Sequence, residues 1–329
     1  MRRVFVALLC GVALLVPIPA SAGVDRADAA AGWLARQMVA GERFEVEFDG
    51  VRYPDQGLTI DAVFAFAAAR ASRGYADRAL AWLARPEVSG GYLGTGGEAY
   101  AGAHAKLLLA VLVAREDPRA FGGVDLVAGL RGLLAPSGRF SDRSAFGDFS
   151  TAFSQSFAVI ALDRTREGAP VAAVDFLAGT QCSDGGFPVR FGQSPCVGDV
   201  DGTAMAVQAL LAADRPVDAR EGLAWLTGVQ QSSGGFGAPA NANSTGLAAQ
   251  ALAAGGEVHA AHRARSFLKS LQVGCAGTPQ TRGAIAYDAS GFDPATAVRA
   301  TAQAVPGLTG TPFRALRGGG VAGAPTLSC

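Results

Sequence analysis

Phe176-Leu177-Ala178-Gly179-Thr180-Gln181-Cys182-Ser183-Asp184-Gly185-Gly186-Phe187 decides the fold, because its pattern returns as Trp225-Leu226-Thr227-Gly228-Val229-Gln230-Gln231-Ser232-Ser233-Gly234-Gly235-Phe236. Each stretch runs from an apolar helix end to a Gln, a polar turn, a Gly pair and an aromatic. Working outward, related segments are Trp33-Leu34, Trp82-Leu83 with Gly90-Gly91-Tyr92, Gly129-Leu130 with Gly138-Arg139-Phe140, and Phe267-Leu268 with Gln272. The shared leucines Leu34, Leu83, Leu130, Leu177, Leu226 and Leu268 are separated by 49, 47, 47, 49 and 42 residues. A period of this size marks stacked supersecondary units.

A second motif follows the first, as in Thr203-Ala204-Met205-Ala206-Val207-Gln208-Ala209-Leu210 and Thr245-Gly246-Leu247-Ala248-Ala249-Gln250-Ala251-Leu252. Fainter copies begin at Leu58 and Ser156. These stretches are apolar nearly all round and predict buried helices. The first-motif segments carry more charge and predict amphipathic outer helices. Each repeat is therefore an outer helix, a Gly-rich turn and an inner helix. Six such pairs can close on themselves, which removes the exposed ends of an open solenoid, the rival arrangement. The expectation is an all-α chain, an α6/α6 toroid over residues 23–306 with a tail over 307–329.

The composition agrees with a packed chain. Half of the residues are hydrophobic and 17% charged, which excludes a disordered polymer. Basic and acidic residues number 28 each, which excludes the basic stripe a nucleic-acid binder needs. Arg2-Arg3, an apolar run from Val4 to Val16 and Ala20-Ser21-Ala22 predict a signal peptide cleaved after Ala22, hence a secreted protein. The mature chain, short of two arginines, carries −2. In an oxidising compartment its four cysteines are expected to pair. Three pairings are open. Cys182 with Cys196 closes a short loop inside one repeat, leaving Cys275 with Cys329 to pin the tail. A four-thiolate zinc site is the rival, but there is no C-x-x-C pair.

The turns at Gln181–Phe187 and Gln230–Phe236 resemble the QW motif of the prenyltransferase and squalene-oxidase repeat families, with Phe where those often have Trp. That resemblance implies an α/α toroid over nearly the whole mature chain. Asp199-Val200-Asp201-Gly202-Thr203-Ala204 resembles the D-x-D-D-T-A motif of class II terpene cyclases. There the middle Asp protonates an alkene and is made unusually acidic by its neighbours. Asp201 matches the middle Asp and Asp199 the first, but Gly202 stands where the fourth position is acidic. Asp201–Leu210 is also similar to repeats of the intrinsic factor and transcobalamin family, secreted, disulfide-linked carriers that bind without catalysis. Their C-terminal β-domain has no counterpart here. The zinc set of protein prenyltransferases finds no match by position. Nor does the C-x-x-Q thioester of complement toroids, since Thr278 stands three residues after Cys275.

The candidate catalytic residues are Asp201 and Asp199. The candidate ligand-binding residues are Asp55, Asp148, Asn243, Gln208, Phe187, Phe236 and Tyr287. The acids and amides just before inner helices, which also include Asn241 and Asp293, can serve as helix N-caps. A toroid would gather them at the mouth of one cavity. His259 and His262, three residues apart near Glu257, could ligate a metal but read better as surface. No metal site and no cofactor is expected. The favoured reading is a secreted toroid holding a small molecule without catalysis, the ligand being a corrinoid, an isoprenoid or a glycan. A cell-envelope partner is compatible with export, and a nucleic-acid partner is not expected. The alternative is a terpene cyclase or prenyltransferase-type enzyme using Asp201 as general acid.

Overall fold

The computed structural model describes residues 25–329, so the signal-peptide reading of residues 1–22 lies outside the described residues. The chain opens with α1 (Arg26–Arg36), a hairpin of β1 (Phe44–Phe48) and β2 (Val51–Asp55), and α2 (Gln56–Ala69). It continues through α3 (Arg73–Leu83), α4 (Pro86–Leu93), α5 (Ala101–Ala114), α6 (Leu126–Arg131), α7 (Ala152–Asp163) and α8 (Val171–Ala178). Then come α9 (Val200–Ala212), α10 (Pro216–Val229), α11 (Ala242–Ala254), α12 (Val258–Ser270), α13 (Pro294–Thr309) and a 3₁₀ turn at Phe313–Ala315.

The helices form two concentric rings. The inner helices neighbour one another in the order α2, α5, α7, α9, α11, α13 and back to α2. Outer helices α3, α6, α8, α10 and α12 each lie on the inner helix before them, and α1 closes the circle on α13. The architecture is an all-α toroid. Small residues permit the tight inner ring: a Cβ added at Gly307 of α13 would lie 2.4 Å from the Gly246 carbonyl of α11. The inner helices are buried on most faces, as the unbroken buried run Leu58–Ala68 of α2 shows.

One device recurs between turn and inner helix. The N–H of the residue after the Gly turn donates to a side chain in the first or second turn of the next inner helix. Phe187 donates to Thr203 Oγ1 at 2.8 Å, Phe236 to Thr245 at 2.9 Å and Phe44 to Thr59 at 3.0 Å. Phe140 donates to Gln155 Oε1 at 2.8 Å, and Ile285 to Thr301 Oγ1 at 2.9 Å. Each bond satisfies a backbone donor that burial would otherwise leave costly. The preceding glycine, at positive φ in Gly185, Gly234 and Gly283, lies against the backbone of the next outer helix. Gly283 meets Ala29 of α1, so this contact also closes the ring.

Three details depart from the sequence reading. Gly90-Gly91-Tyr92 is not a turn but part of α4, because Pro86 starts a helix there. The sixth turn is Gly283-Ala284-Ile285, with Ile in the aromatic position. The hairpin was not foreseen, although Phe44-Glu45-Val46-Glu47-Phe48 alternates and Asp49-Gly50 both take the positive φ of a type I′ turn. Two disulfides join Cys182 to Cys196 and Cys275 to Cys329. The tail runs from the ring's centre across α5 and the α2–α3 loop to the second of these bridges, with Gly318 donating to Val113 O and Val321 to Arg70 O.

Candidate active site

The repeat topology puts the N-termini of all six inner helices on one face, the mouth of the ring. Four of the foreseen residues cap these helices. Asp55 accepts from the N–H of Leu58 at 2.8 Å, and Asn241 from Ser244 at 2.9 Å. Asp293 accepts from Ala295 at 3.0 Å, and Asp199 from both Asp201 and Gly202 at 2.8 and 2.9 Å. Each satisfies a free helix-end donor and favours the positive end of the helix dipole. Asp148 does not cap α7. It folds back on its own loop, accepting from Asp142 and Ser150, and pairs with Arg139 at 3.1 Å. Burial works to raise its pKa, but the Ser150 hydroxyl and the N–H donors prevail and hold it below the ordinary carboxylate range.

Asp201, Asn243 and Arg299 share one level, each two residues before a stitching threonine on α9, α11 and α13. Arg299 pairs with Asp55 at 2.9 Å across to α2. Asp201 Oδ1 and Asn243 Oδ1 are shut off from solvent and accept no hydrogen bond from the described residues. Burial pushes the Asp201 carboxyl above its ordinary pKa, the Ser244 hydroxyl pulls it back, and the Asp199 charge raises it again. The sequence comparison with terpene cyclases implied the opposite sign, an unusually acidic group. The surroundings instead favour the protonated form more than water does around a solvated Asp.

The structure also explains Gly202. A Cβ there would lie 2.9 Å from the Phe187 carbonyl and 3.1 Å from Pro188, so the turn's backbone fills the space a fourth acid would need. The hydroxyl facing Asp201 comes instead from Ser244 on the neighbouring inner helix.

About 6 Å deeper, one helical turn on, lies the lumen proper. Asp61 of α2 and Lys106 of α5 form an ion pair at 2.6 Å. Phe153, Phe157, Leu247, Gln250 and Phe313 surround them around a cavity of about 80 Å³. Asp61 Oδ2 and Gln250 Oε1 lack partners, as does Gln208 Nε2 near the foot. Phe313 closes that foot: its N–H donates to Gln208 Oε1 at 3.1 Å, and its ring meets Phe64 and Phe157 edge-on at 5.4 and 5.2 Å. The lumen is thus apolar in wall and polar at a few convergent points, the usual make-up of a small-molecule site. Burial, with the charges of Asp61 and Asp55 nearby, drives the Tyr92 hydroxyl far above its ordinary pKa.

Gln208 is the one foreseen ligand-binding side chain placed at the foot of the lumen. Phe187 and Phe236 are fully buried wedges under the next outer helices and do not line it. Tyr287 sits half-buried at a turn, where its carbonyl accepts from Ala242 N–H at 2.7 Å. His259 and His262 are exposed on α12. His104 is buried, bonds the Tyr100 carbonyl, and has its pKa lowered chiefly by that burial. Among the described residues no cluster of three or more His, Cys, Asp or Glu could hold a metal ion. No helix among them is long and apolar enough to cross a membrane.

Sequence reasoning missed Asp61, Lys106, Arg299, Ser244 and Phe313. A second opening, of about 420 Å³, lies between the hairpin and the start of α13, lined by Phe44, Val46, Leu58, Val298 and the Asp55–Arg299 pair.

Fold and site together define an α/α toroid with a half-polar lumen and, at its mouth, an acid with one buried, unpartnered oxygen. Solved structures show the same fold. The type II terpene cyclase MstE from Scytonema, as an Asp-to-Asn variant in complex with its substrate geranylgeranyl dihydroxybenzoate, superposes with a TM-score of 0.64 at 14% identity, over 88% of this chain and 97% of that one. The ent-copalyl diphosphate synthase from Streptomyces platensis gives 0.52 at 18% identity, over 78% of this chain and 50% of that one. An unsaturated glucuronyl hydrolase specific for heparin gives 0.59 at 11% identity, over 87% and 95%. No family model matches the sequence, and no curated protein does.

Proposed function

We propose that this protein is an enzyme of the terpene cyclase type, with Asp201 as proton donor to one small isoprenoid substrate at the ring mouth. The observation that carries the reading is the buried, unpartnered Asp201 oxygen on a carboxyl whose pKa burial raises above the ordinary Asp value. A general acid needs its proton in place before the reaction, and such groups cluster in clefts where burial shifts them. Two of the neighbours named above are terpene cyclases, which supports this reading over a carrier without catalysis. The raised pKa also bears on the substrate. A weaker acid protonates an oxygen lone pair or an electron-rich alkene more readily than an isolated one.

The lining supports an isoprenoid with a polar head rather than a bare hydrocarbon. The unpartnered Asp61 and Gln250 oxygens want donors, and a hydrocarbon would leave them unpaired at a cost. The lumen of about 80 Å³ takes only one end of such a molecule. A corrinoid is several times too large for the lumen. Exposed Phe48, Tyr53, Phe146 and Phe149, on segments leading to the mouth, offer apolar surface to a prenyl chain. The disulfides fit an oxidising compartment, which supports residues 1–22 as an export signal. The test is incubation with geranylgeraniol, geranylgeranyl hydroquinone, geranylgeranyl diphosphate and squalene, with products read by mass spectrometry. A product from the wild type, lost in Asp201→Asn, is expected. No product from any of these substrates, or the same product from Asp201→Asn, overturns the reading.

A further inference from the structure

The face opposite the mouth, where the inner helices end, carries a cluster the mechanism does not use. Arg115 ends α5, Arg164 ends α7, and Arg314 and Arg317 arrive on the tail beside the Phe313 plug. With Leu112 and Asp163 they line one cleft of about 390 Å³. Four guanidiniums thus face a single carboxylate in a chain whose charges balance as a whole.

Helix ends explain only part of this. Cations at helix C-termini offset the dipole and bond the last carbonyls. Arg164 does so in part, donating to Leu112 O of α5 at 3.4 Å, but its other bonds hold the tail, to Phe313 O at 3.1 Å and Leu316 O at 3.0 Å. Arg115 also stands at a helix end, but its side chain makes no ion pair among the described residues. Arg314 and Arg317 belong to no α-helix. Among the described residues Arg314 reaches Asp163 only at 3.5 Å, and Arg317 bonds only the neighbouring Leu316 carbonyl, at 3.4 Å. The crowding has an electrostatic cost. Burial first, then the Arg317 charge, brings Arg164 down to about 10, against the pull of Asp163.

We propose that this cleft is a binding site for a phosphate group, with Arg115, Arg314 and Arg317 as its contacts and Arg164 as the fixed charge behind them. A phosphate monoester carries close to two charges near neutral pH and a diester one, and the oxygens of either match the planar fork of guanidinium donors. A monoester would offset most of the excess of three positive charges in the cleft, and a diester part of it. The site lies across the ring from Asp201 and does not rest on the catalytic reading.

The experiment is calorimetric titration of the full mature chain with inorganic phosphate and inorganic diphosphate at low salt. Alongside it, the chain is co-sedimented with phosphatidylglycerol vesicles and with phosphatidylcholine vesicles. Arg115→Gln/Arg317→Gln is measured beside the wild type, with Arg164 untouched because it ties down the tail. The wild type should bind, more weakly as salt rises. The double variant should keep its melting temperature and lose at least tenfold in affinity. Binding of the free ions points to a soluble phosphate compound, and selective sedimentation with phosphatidylglycerol to a lipid headgroup. Silence in every arm, or equal binding by the double variant, overturns the proposal.

Discussion

The mouth and the foot of the ring are built by the same six helices, yet they carry opposite charges. The mouth gathers Asp55, Asp199, Asp201 and Asp293 at helix N-termini, and the foot gathers Arg115 and Arg164 at C-termini. Parallel helix dipoles ask for this arrangement, so charge alone marks no function at either end. The informative groups are those the dipole leaves unexplained. At the mouth that is Asp201, whose neighbour Asp199 already caps α9, so that Asp201 Oδ1 has no partner. At the foot it is Arg314 and Arg317, which sit outside the helices.

The sharpest way to break the comparison is to open the foot. Phe313→Ala removes the ring that seals it and should cost about 3–5 kcal/mol, as large aromatic truncations do. Chemical denaturation would measure the loss, and a loss near zero would mean that Phe313 is not a plug. The next effect belongs to the lumen. Asp61→Leu leaves Lys106 buried alone and should cost about 3–5 kcal/mol, whereas Asp61→Leu/Lys106→Met should recover most of it. Equal cost in the single and double variants would show that the two charges do not act as a pair.

Smaller effects test the scaffold of the mouth. Thr203→Val leaves the buried Phe187 N–H without its acceptor and should cost about 1–3 kcal/mol. Asp199→Ala removes a cap and should cost about 1 kcal/mol in a thermal melt. If the cap variant proves the costlier of these two, the stitch is not what fixes the turn on the helix.

The parts of the molecule differ in how openly the sequence shows them. The fourth and fifth repeats announce themselves, because their Gly-Gly-Phe turns keep every element of the pattern. The sixth turn is concealed by Ile285 in the aromatic position and by its single glycine, Gly283. Arg299 is concealed because α13 starts a turn early at Pro294, which shifts its register against Asp201 and Asn243. The caps were readable, since Asp and Asn before an apolar run have a local cause. The lumen was not. Asp61, Lys106, Gln250 and Phe313 meet only when six helices and a tail close around one axis. No local spacing encodes that meeting. Asp49-Gly50 does encode the hairpin locally, between two short alternating runs set in a chain whose dominant period is helical.

The most direct test of the central claim is the pH dependence of turnover in the wild type, Asp201→Asn and Ser244→Ala. An acid raised on folding binds more protons in the folded chain, so its contribution to stability falls as pH rises from about 4, the ordinary Asp value, through the folded value. The same window should govern the rate if the neutral carboxyl is the donor. The wild type should lose turnover above that window, and Ser244→Ala, which removes the one lowering influence, should shift the loss to higher pH. Asp201→Asn should run roughly 100- to 10,000-fold slower with no such limb. Turnover in Asp201→Asn close to that of the wild type, or a limb that stays in place without Ser244, would contradict the account.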